Sequence, residues 1–261
     1  MKIELQKPIL ELNDRLAAEN RRLFNEFGIF VLDLMASPGA GKTSVILKTI
    51  ERLRDRYRIA VIEGDVAGDI DSLRIRQQKI PAVQINTGGA CHLESQMIRK
   101  ALDVLDLNEL DVILIENVGN LVCPTDFYLG EDVKAMILSV PEGDDKPLKY
   151  PGVFQVSSVI ILNKIDVMPY FNFDEQGFHA RVRQLNPTAE VFPLSATTSS
   201  GIDLWIDWLV AQIENRKAQG YFKSTSNTSG SNTSGSNTSN SNASNTGTSG
   251  TDKDEEGVQV S

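Results

Sequence analysis

Short apolar runs separated by polar, helix-patterned stretches set the plan of this chain. Phe30–Met35 (FVLDLM), Ile59–Glu63 (IAVIE), Ala82–Asn86 (AVQIN), Asp111–Glu116 (DVILIE), Val133–Val140, Val159–Leu162 and Glu190–Leu194 are rich in β-branched and aliphatic residues. Runs of this length predict strands buried inside a sheet. Leu12, Leu16, Leu23 and Phe27 mark an amphipathic helix ending near Gly28, packed on the domain edge or on a partner. Helical patterns also cover Lys42–Arg56 and the stretch through Ile98 and Leu105. Strands alternating with helices predict an α/β fold: a doubly wound, mostly parallel sheet whose loops at the strand C-termini form the site. The polar motifs of the chain fall at those strand ends.

Composition changes this picture mainly at the C-terminus. The 261 residues are 41% hydrophobic and 23% charged, ordinary for a globular protein. Ser224–Gly250 is almost wholly Ser, Asn, Thr and Gly, has nothing to bury, and is expected to be disordered. Three parts follow: a helical segment over 1–28, a domain over 29–220, and a disordered, finally acidic tail over 221–261, read as a spacer. The N-x-S/T triplets of the tail reflect its composition, since Met1–Leu12 is too polar and short for a signal peptide. No run approaches a membrane span. The net charge is −9, of which Asp252–Glu256 contributes −3, and an acidic domain argues against nucleic acid and anionic membranes as partners. Two cysteines, Cys91 and Cys123, make no disulfide framework and point to a reducing, cytoplasmic setting.

The stretch FVLDLMASPGAGKTSV, Phe30–Val45, reads as strand, small-residue turn and helix, the layout of a phosphate-binding P-loop. Pro38, Gly39, Ala40 and Gly41 form the turn, and the backbone N–H groups through Lys42, Thr43 and Ser44 face the anion. Lys42 reaches the β- and γ-phosphates, and the Thr43 hydroxyl suits Mg²⁺. The pattern G-x-x-x-x-G-K-[ST] is met except at its first position, held by Ala36, which leaves the packing of that turn open.

A second motif reads the base. Asn163-Lys164-Ile165-Asp166 closes one apolar run and Ser195-Ala196 another. A carboxylate at Asp166 accepts from both N1–H and the 2-amino group of guanine; adenine offers neither, so the site selects GTP and GDP over ATP. The Lys164 stem covers the base, Asn163 braces the loop, and the Ala196 N–H is placed for the guanine O6.

Cys91, His92 and Cys123 carry thiolate and imidazole ligands suited to Ni²⁺ or Zn²⁺. Three ligands per chain are too few for a closed site, so a site shared across a two-fold axis or an open position is implied. Residue type alone leaves inert cysteines as the alternative. The acids Asp65, Asp69 and Asp71 equally fit a solvated loop. His179 faces core or solvent.

The strings ASPGAGKTS, GDVAGDIDSLR, INTGGACHLES, IENVGNLVCPTDFYLGED, EGDDKPLKYPGVF, LNKIDV and SATTSSGID together resemble the HypB family, GTPases of nickel insertion into [NiFe]-hydrogenase. The resemblance runs from about Ile9 to Lys217. It implies a GTPase of the dimerising P-loop class, with Asp65 and Asp71 in switch I near Mg²⁺ and Glu116 to Gly119 forming switch II. Lys42, Asp71, Glu116 and Gly119 are then the hydrolytic residues, and Thr43, Asp65, Asp71 and Glu116 the Mg²⁺ neighbourhood. It further implies a homodimer when GTP is bound, a hydrogenase large-subunit precursor as client, and a companion nickel-binding maturation protein. Some relatives carry an N-terminal Cys- or His-rich nickel motif, whereas Met1–Phe27 has neither residue. A sister GTPase serving urease or a cobalamin enzyme, and a nucleotide-dependent switch with structural cysteines, are the alternative readings.

Overall fold

The computed structural model describes residues 6–65, 75 and 77–219. Asp69, Asp71 and the tail over 221–261 lie outside the described residues. Seven strands form one parallel sheet: β1 (Phe30–Ala36), β2 (Ile59–Asp65), β3 (Ala82–Asn86), β4 (Val112–Glu116), β5 (Val133–Ser139), β6 (Val159–Asn163) and β7 (Glu190–Pro193). Their spatial order is β3-β2-β4-β1-β5-β6-β7. Among the described residues every pairing is parallel, so the sheet is doubly wound with no antiparallel edge there.

Helices cover both faces because the strand side chains alternate between two apolar layers. Phe30, Leu32 and Leu34 of β1 join the core beneath α2 (Lys42–Leu53) and α7 (Ile202–Ala218). On the other face Val31 packs with Phe24 of α1 (Gln6–Phe27) and Ile98 of α3 (Ser95–Leu102). Met35 packs on that face with Phe154 of α5 (Pro151–Val156) and Phe178 of α6 (Glu175–Leu185). A four-residue helix, α4 (Lys146–Lys149), precedes α5. Asp33 lies between Val31 and Met35, fully buried in the seam between two apolar clusters.

Helix α1 corrects the face drawn from the leucine pattern. Leu12 is 49% exposed, while Asn13, Ala17, Asn20 and Phe24 form the buried stripe. The asparagines are buried because the backbone satisfies them. Asn13 Nδ2 donates to the Tyr128 carbonyl at 2.8 Å, and its Oδ1 accepts from the Ser95 N–H at 2.9 Å. Asn20 Nδ2 donates to the carbonyls of Ser95 and Leu129. Arg21 adds an ion pair to Asp132 at 2.8 Å, and Arg216 from α7 meets the same carboxylate at 2.6 Å. No helix among the described residues is long and apolar enough to cross a membrane.

Candidate functional site

The loop from β1 to α2 leaves the middle of the sheet, with β4 and β5 on either side of β1. Ala36, at the position where the phosphate-loop pattern asks for glycine, still belongs to β1, and its methyl is fully buried in the core. The fold absorbs that departure. Gly41 caps α2 with φ of 99°. A Cβ there would lie 2.5 Å from Asn163 Nδ2, so glycine is required by contact as well as by backbone. Ser37 is hydrogen-bonded to Glu142, whose other oxygen accepts from the Ser139 N–H at 2.7 Å.

Beside this loop opens a cleft of about 490 Å³. Gly39, Lys42, Thr43 and Ser44 line one side, Glu63 to Asp65 from β2 another, and Glu116 to Gly119 a third. The Thr43 hydroxyl donates to Glu116 Oε1 at 2.9 Å. Hydroxyl and carboxylate in contact at the phosphate end are a donor set suited to Mg²⁺, an oxygen-seeking ion. Asp65 lines the same cleft at the end of β2. Glu63, buried at the rim, was not singled out by the sequence pattern. A Cβ on Gly119 would come within 3.1–3.3 Å of Pro38, so the loop after β4 lies directly against the phosphate loop.

The residues expected to read the base surround the far side of the loop. Asn163 Nδ2 donates to the Ala40 carbonyl at 2.9 Å, and its Oδ1 accepts from the Ala196 N–H at 3.2 Å. One side chain thereby ties the phosphate loop to the Ser195-Ala196 loop. The Ala196 N–H, expected to face guanine O6, is engaged by Asn163 here. Lys164, left-handed at φ 63°, donates from Nζ to the Gly39 carbonyl at 2.6 Å. Asp166 is exposed in the 3₁₀ turn Ile165–Tyr170. Ser195 is buried and accepts from the Thr198 N–H at 3.1 Å.

The loop after β3 and the turn Cys123–Asp126 after β4 bring Cys91, His92 and Cys123 together, with one ligand atom of each within 4.8 Å of the others. The two Sγ atoms are 2.8 Å apart, and Cys91 Sγ lies 3.8 Å from His92 Nδ1. Two thiolates on one tetrahedral ion at the usual bond length stand about 3.7 Å apart, so an ion would spread this pair by about 1 Å. His92 Nε2 faces Glu94 at 3.5 Å, and Phe127 stacks on the ring at 3.8 Å. That leaves Nδ1 toward the thiols, with a carboxylate behind the ring to fix its tautomer. Burial holds the His92 pKa below its ordinary value against the pull of Glu94, which favours the neutral, ligating imidazole. The hydrogen bond with Cys91 raises the Cys123 pKa. Asn120 binds the two loops together, donating to the Cys91 carbonyl at 3.3 Å and accepting from the Val122 N–H at 2.9 Å. Among the described residues no other group of three Cys, His, Asp or Glu ligands is gathered this way.

Asp33 and Lys134, which no motif singles out, sit beneath both sites with Asn117 of the Glu116–Gly119 segment. Their signal was nonetheless in the sequence: one acid in FVLDLMA and one base in VKAMILS interrupt two buried strands. His179 faces Glu175 at 4.0 Å on α6, apart from both sites.

A phosphate loop at the centre of a parallel sheet, with a strand-end Asn-Lys-x-Asp beside it, defines a P-loop nucleotide-binding protein. The profile described as "CobW/HypB/UreG, nucleotide-binding domain" matches residues 30–193. The hydrogenase maturation factor HypB of Escherichia coli K12 is 47% identical over 210 residues, covering 80% of this chain and 72% of that protein. A factor from Helicobacter pylori J99, named for hydrogenase and urease maturation, is 39% identical over 80% of this chain and 87% of its own length. The crystal structure of Helicobacter pylori HypB in complex with nickel superposes with a TM-score of 0.74 at 38% identity, covering 82% of this chain and 98% of that one. The chain belongs to the HypB hydrogenase maturation factors of the CobW/HypB/UreG family of P-loop GTPases.

Proposed function

We propose that this chain is a GTP-hydrolysing metallochaperone that delivers nickel during [NiFe]-hydrogenase maturation. The observation that carries the reading is the position of switch II: Glu116 touches Thr43 at the phosphate loop, while Asn120, four residues on, holds the loops bearing Cys91 and Cys123. A change in the cleft therefore has a short covalent path to the metal ligands.

In this reading Pro38 to Ser44 cradle the phosphates, and Lys42 neutralises charge on the γ-phosphate as it leaves. Asp166 accepts from guanine, with Asn163, Lys164, Ser195 and Ala196 shaping that end. Thr43, Asp65, Asp71 and Glu116 hold Mg²⁺, which screens the phosphate charge when bound. Glu116 and Asp71 orient water, and the Gly119 N–H registers the γ-phosphate. Cys91, His92 and Cys123 take Ni²⁺, or Zn²⁺ in its place. Two copies meeting at a two-fold axis bring four thiolates and two imidazoles together, so a GTP-bound homodimer completes a site that one chain leaves open. The client is a hydrogenase large-subunit precursor, supplied with the help of a companion nickel-binding protein. Service to urease is the second reading, favoured by the name of the Helicobacter pylori relative.

Nickel titration and sedimentation of wild type, Cys91→Ala and Cys123→Ala, each with a non-hydrolysable GTP analogue or GDP, test the proposal. The expected outcome is a dimer with tighter nickel binding in the GTP-analogue state, and loss of nickel without loss of nucleotide in both variants. Linkage requires nickel to favour the GTP-state dimer by the same free energy. Equal mass and equal nickel affinity in both nucleotide states would end the coupling.

A further inference from the structure

We propose that Asp33 is a positioning residue that holds the two halves of the Cys/His site in register, through Asn117 on one side and Lys134 on the other. The inference rests on the reading of Cys91, His92 and Cys123 as a metal site. It concerns residues on two strands beneath that site, none of them a ligand.

The geometry is a fork. Asp33 Oδ1 accepts from Asn117 Nδ2 at 3.1 Å. Asn117 Oδ1 in turn accepts from the N–H groups of Leu93 at 3.2 Å and Val118 at 3.0 Å. Leu93 directly follows His92, so this arm fixes the backbone of the first ligand loop. Asp33 Oδ2 lies 3.5 Å from Lys134 Nζ. Lys134 donates onward to the carbonyls of Pro124 at 3.2 Å and Phe127 at 2.8 Å. Those carbonyls bracket the turn after Cys123, and the Phe127 ring is the one stacked on His92. Both arms meet at one fully buried carboxylate, five residues before the turn of the phosphate loop begins at Pro38.

Strand register makes the fork possible. Asp33 and Lys134 are direct partners across β1 and β5, on the face where Val31 and Met35 belong to separate apolar clusters. An ion pair in that seam is a poor source of stability compared with apolar packing. What it grips is four loop groups: the N–H groups of Leu93 and Val118 and the carbonyls of Pro124 and Phe127. Glu131 completes the surroundings of the lysine, 3.3 Å away, with its Oε2 accepting from the Leu129 N–H at 2.8 Å.

The test uses the full chain and Ni²⁺ as the probe. Asp33→Leu/Lys134→Met keeps the seam filled with apolar volume and removes both arms; Lys134→Met removes one; Lys134→Arg keeps charge and donors. Nickel affinity should fall tenfold or more in the double variant, less in Lys134→Met, and little in Lys134→Arg. The nickel–thiolate charge-transfer band should shift or weaken in the same order, while affinity for a GTP analogue stays within threefold. A folded double variant with wild-type nickel affinity and band overturns the inference. So does a parallel loss of metal, nucleotide and melting temperature, which marks a structural role only. If the double variant does not fold, wild-type NMR decides: Zn²⁺ should shift the Asn117 side-chain amide signals and slow exchange at Leu93 N–H, and unchanged signals overturn the inference. Wild-type protein that takes up no nickel would instead fail the metal-site reading itself.

Discussion

Thr43 and Glu116 come from the phosphate loop and the end of β4, and the threonine hydroxyl donates to the glutamate at 2.9 Å. In the proposed function Glu116 would help hold Mg²⁺ and orient the attacking water. Glu116→Gln retains the hydrogen bond and loses the charge. Phosphate release should fall by about 100-fold, the scale set by losing one aligned charged group, while GTP affinity changes far less. Single-turnover phosphate release against fluorescent-nucleotide titration separates the two; equal losses in both would assign Glu116 to binding alone.

Gly41→Ala should damage the nucleotide site from within the phosphate loop. The added methyl meets Asn163 Nδ2, and the backbone sits at φ 99°. Together these cost about 1–3 kcal/mol and break the Asn163 bond to the Ala40 carbonyl. The melting temperature should drop by several degrees and GTP affinity by at least tenfold. Gly39→Ala is the control, since its Cβ would meet nothing within 4 Å although its φ is also positive.

Asp166→Asn should exchange guanine for xanthine. The amide offers a donor to the C2 oxygen of xanthine and leaves the guanine amino group unmatched, a mismatch that discriminates by orders of magnitude. Competition of GTP, XTP and ATP for the wild-type and variant proteins reads this directly. ATP competing as well as GTP in the wild type would remove guanine selection.

Glu131 gives the protein a pH-dependent stability of defined sign. Burial raises its pKa from 4.5 to about 7, opposed by Lys134 and reinforced by Asp33. Between pH 4.5 and 7 the folded state therefore binds more protons than the unfolded state. This contribution is fully present below about pH 4.5 and is lost as pH rises through 7, on the order of 3 kcal/mol in all. Urea unfolding at pH 5, 6, 7 and 8 should show Glu131→Gln with a flatter profile than wild type. Parallel profiles would place the proton elsewhere.

The strands were legible because each is a short run rich in apolar residues, buried on both faces in the five inner strands and only half-buried in the edge strands β3 and β7, and the observed bounds differ from the predicted ones by two residues at most. The phosphate loop and Asn163–Asp166 were legible because each needs particular residue types at fixed spacing. Helix α7 carries Ile202, Trp205, Ile206, Leu209 and Ile213 on its buried side, a helical pattern blurred by the exposed Leu204. The face of α1 was not legible, since no hydropathy pattern distinguishes an exposed asparagine from Asn13 or Asn20, buried against carbonyls more than seventy positions away. Asp33 and Lys134 look like errors when each strand is read alone. They become a pair only once β1 and β5 are set side by side in register.

The anchoring of α1 has a consequence for the order in which the chain is made. Its asparagines bond to partners 75 to 115 positions downstream. At ordinary translation rates of about 5–20 residues per second, those partners reach the ribosome exit some 4–23 s after the helix does. For that interval Phe24 and its neighbours have no core to enter, and the helix is an amphipathic segment open to chaperones or to other nascent chains. Asp132, which also receives Arg216 from α7, closes the arrangement only when α7 has emerged. Helix α1 is thus secured only after much of the later chain has been made, and a bulky N-terminal fusion would be expected to lower the yield of folded protein before it affected the finished molecule.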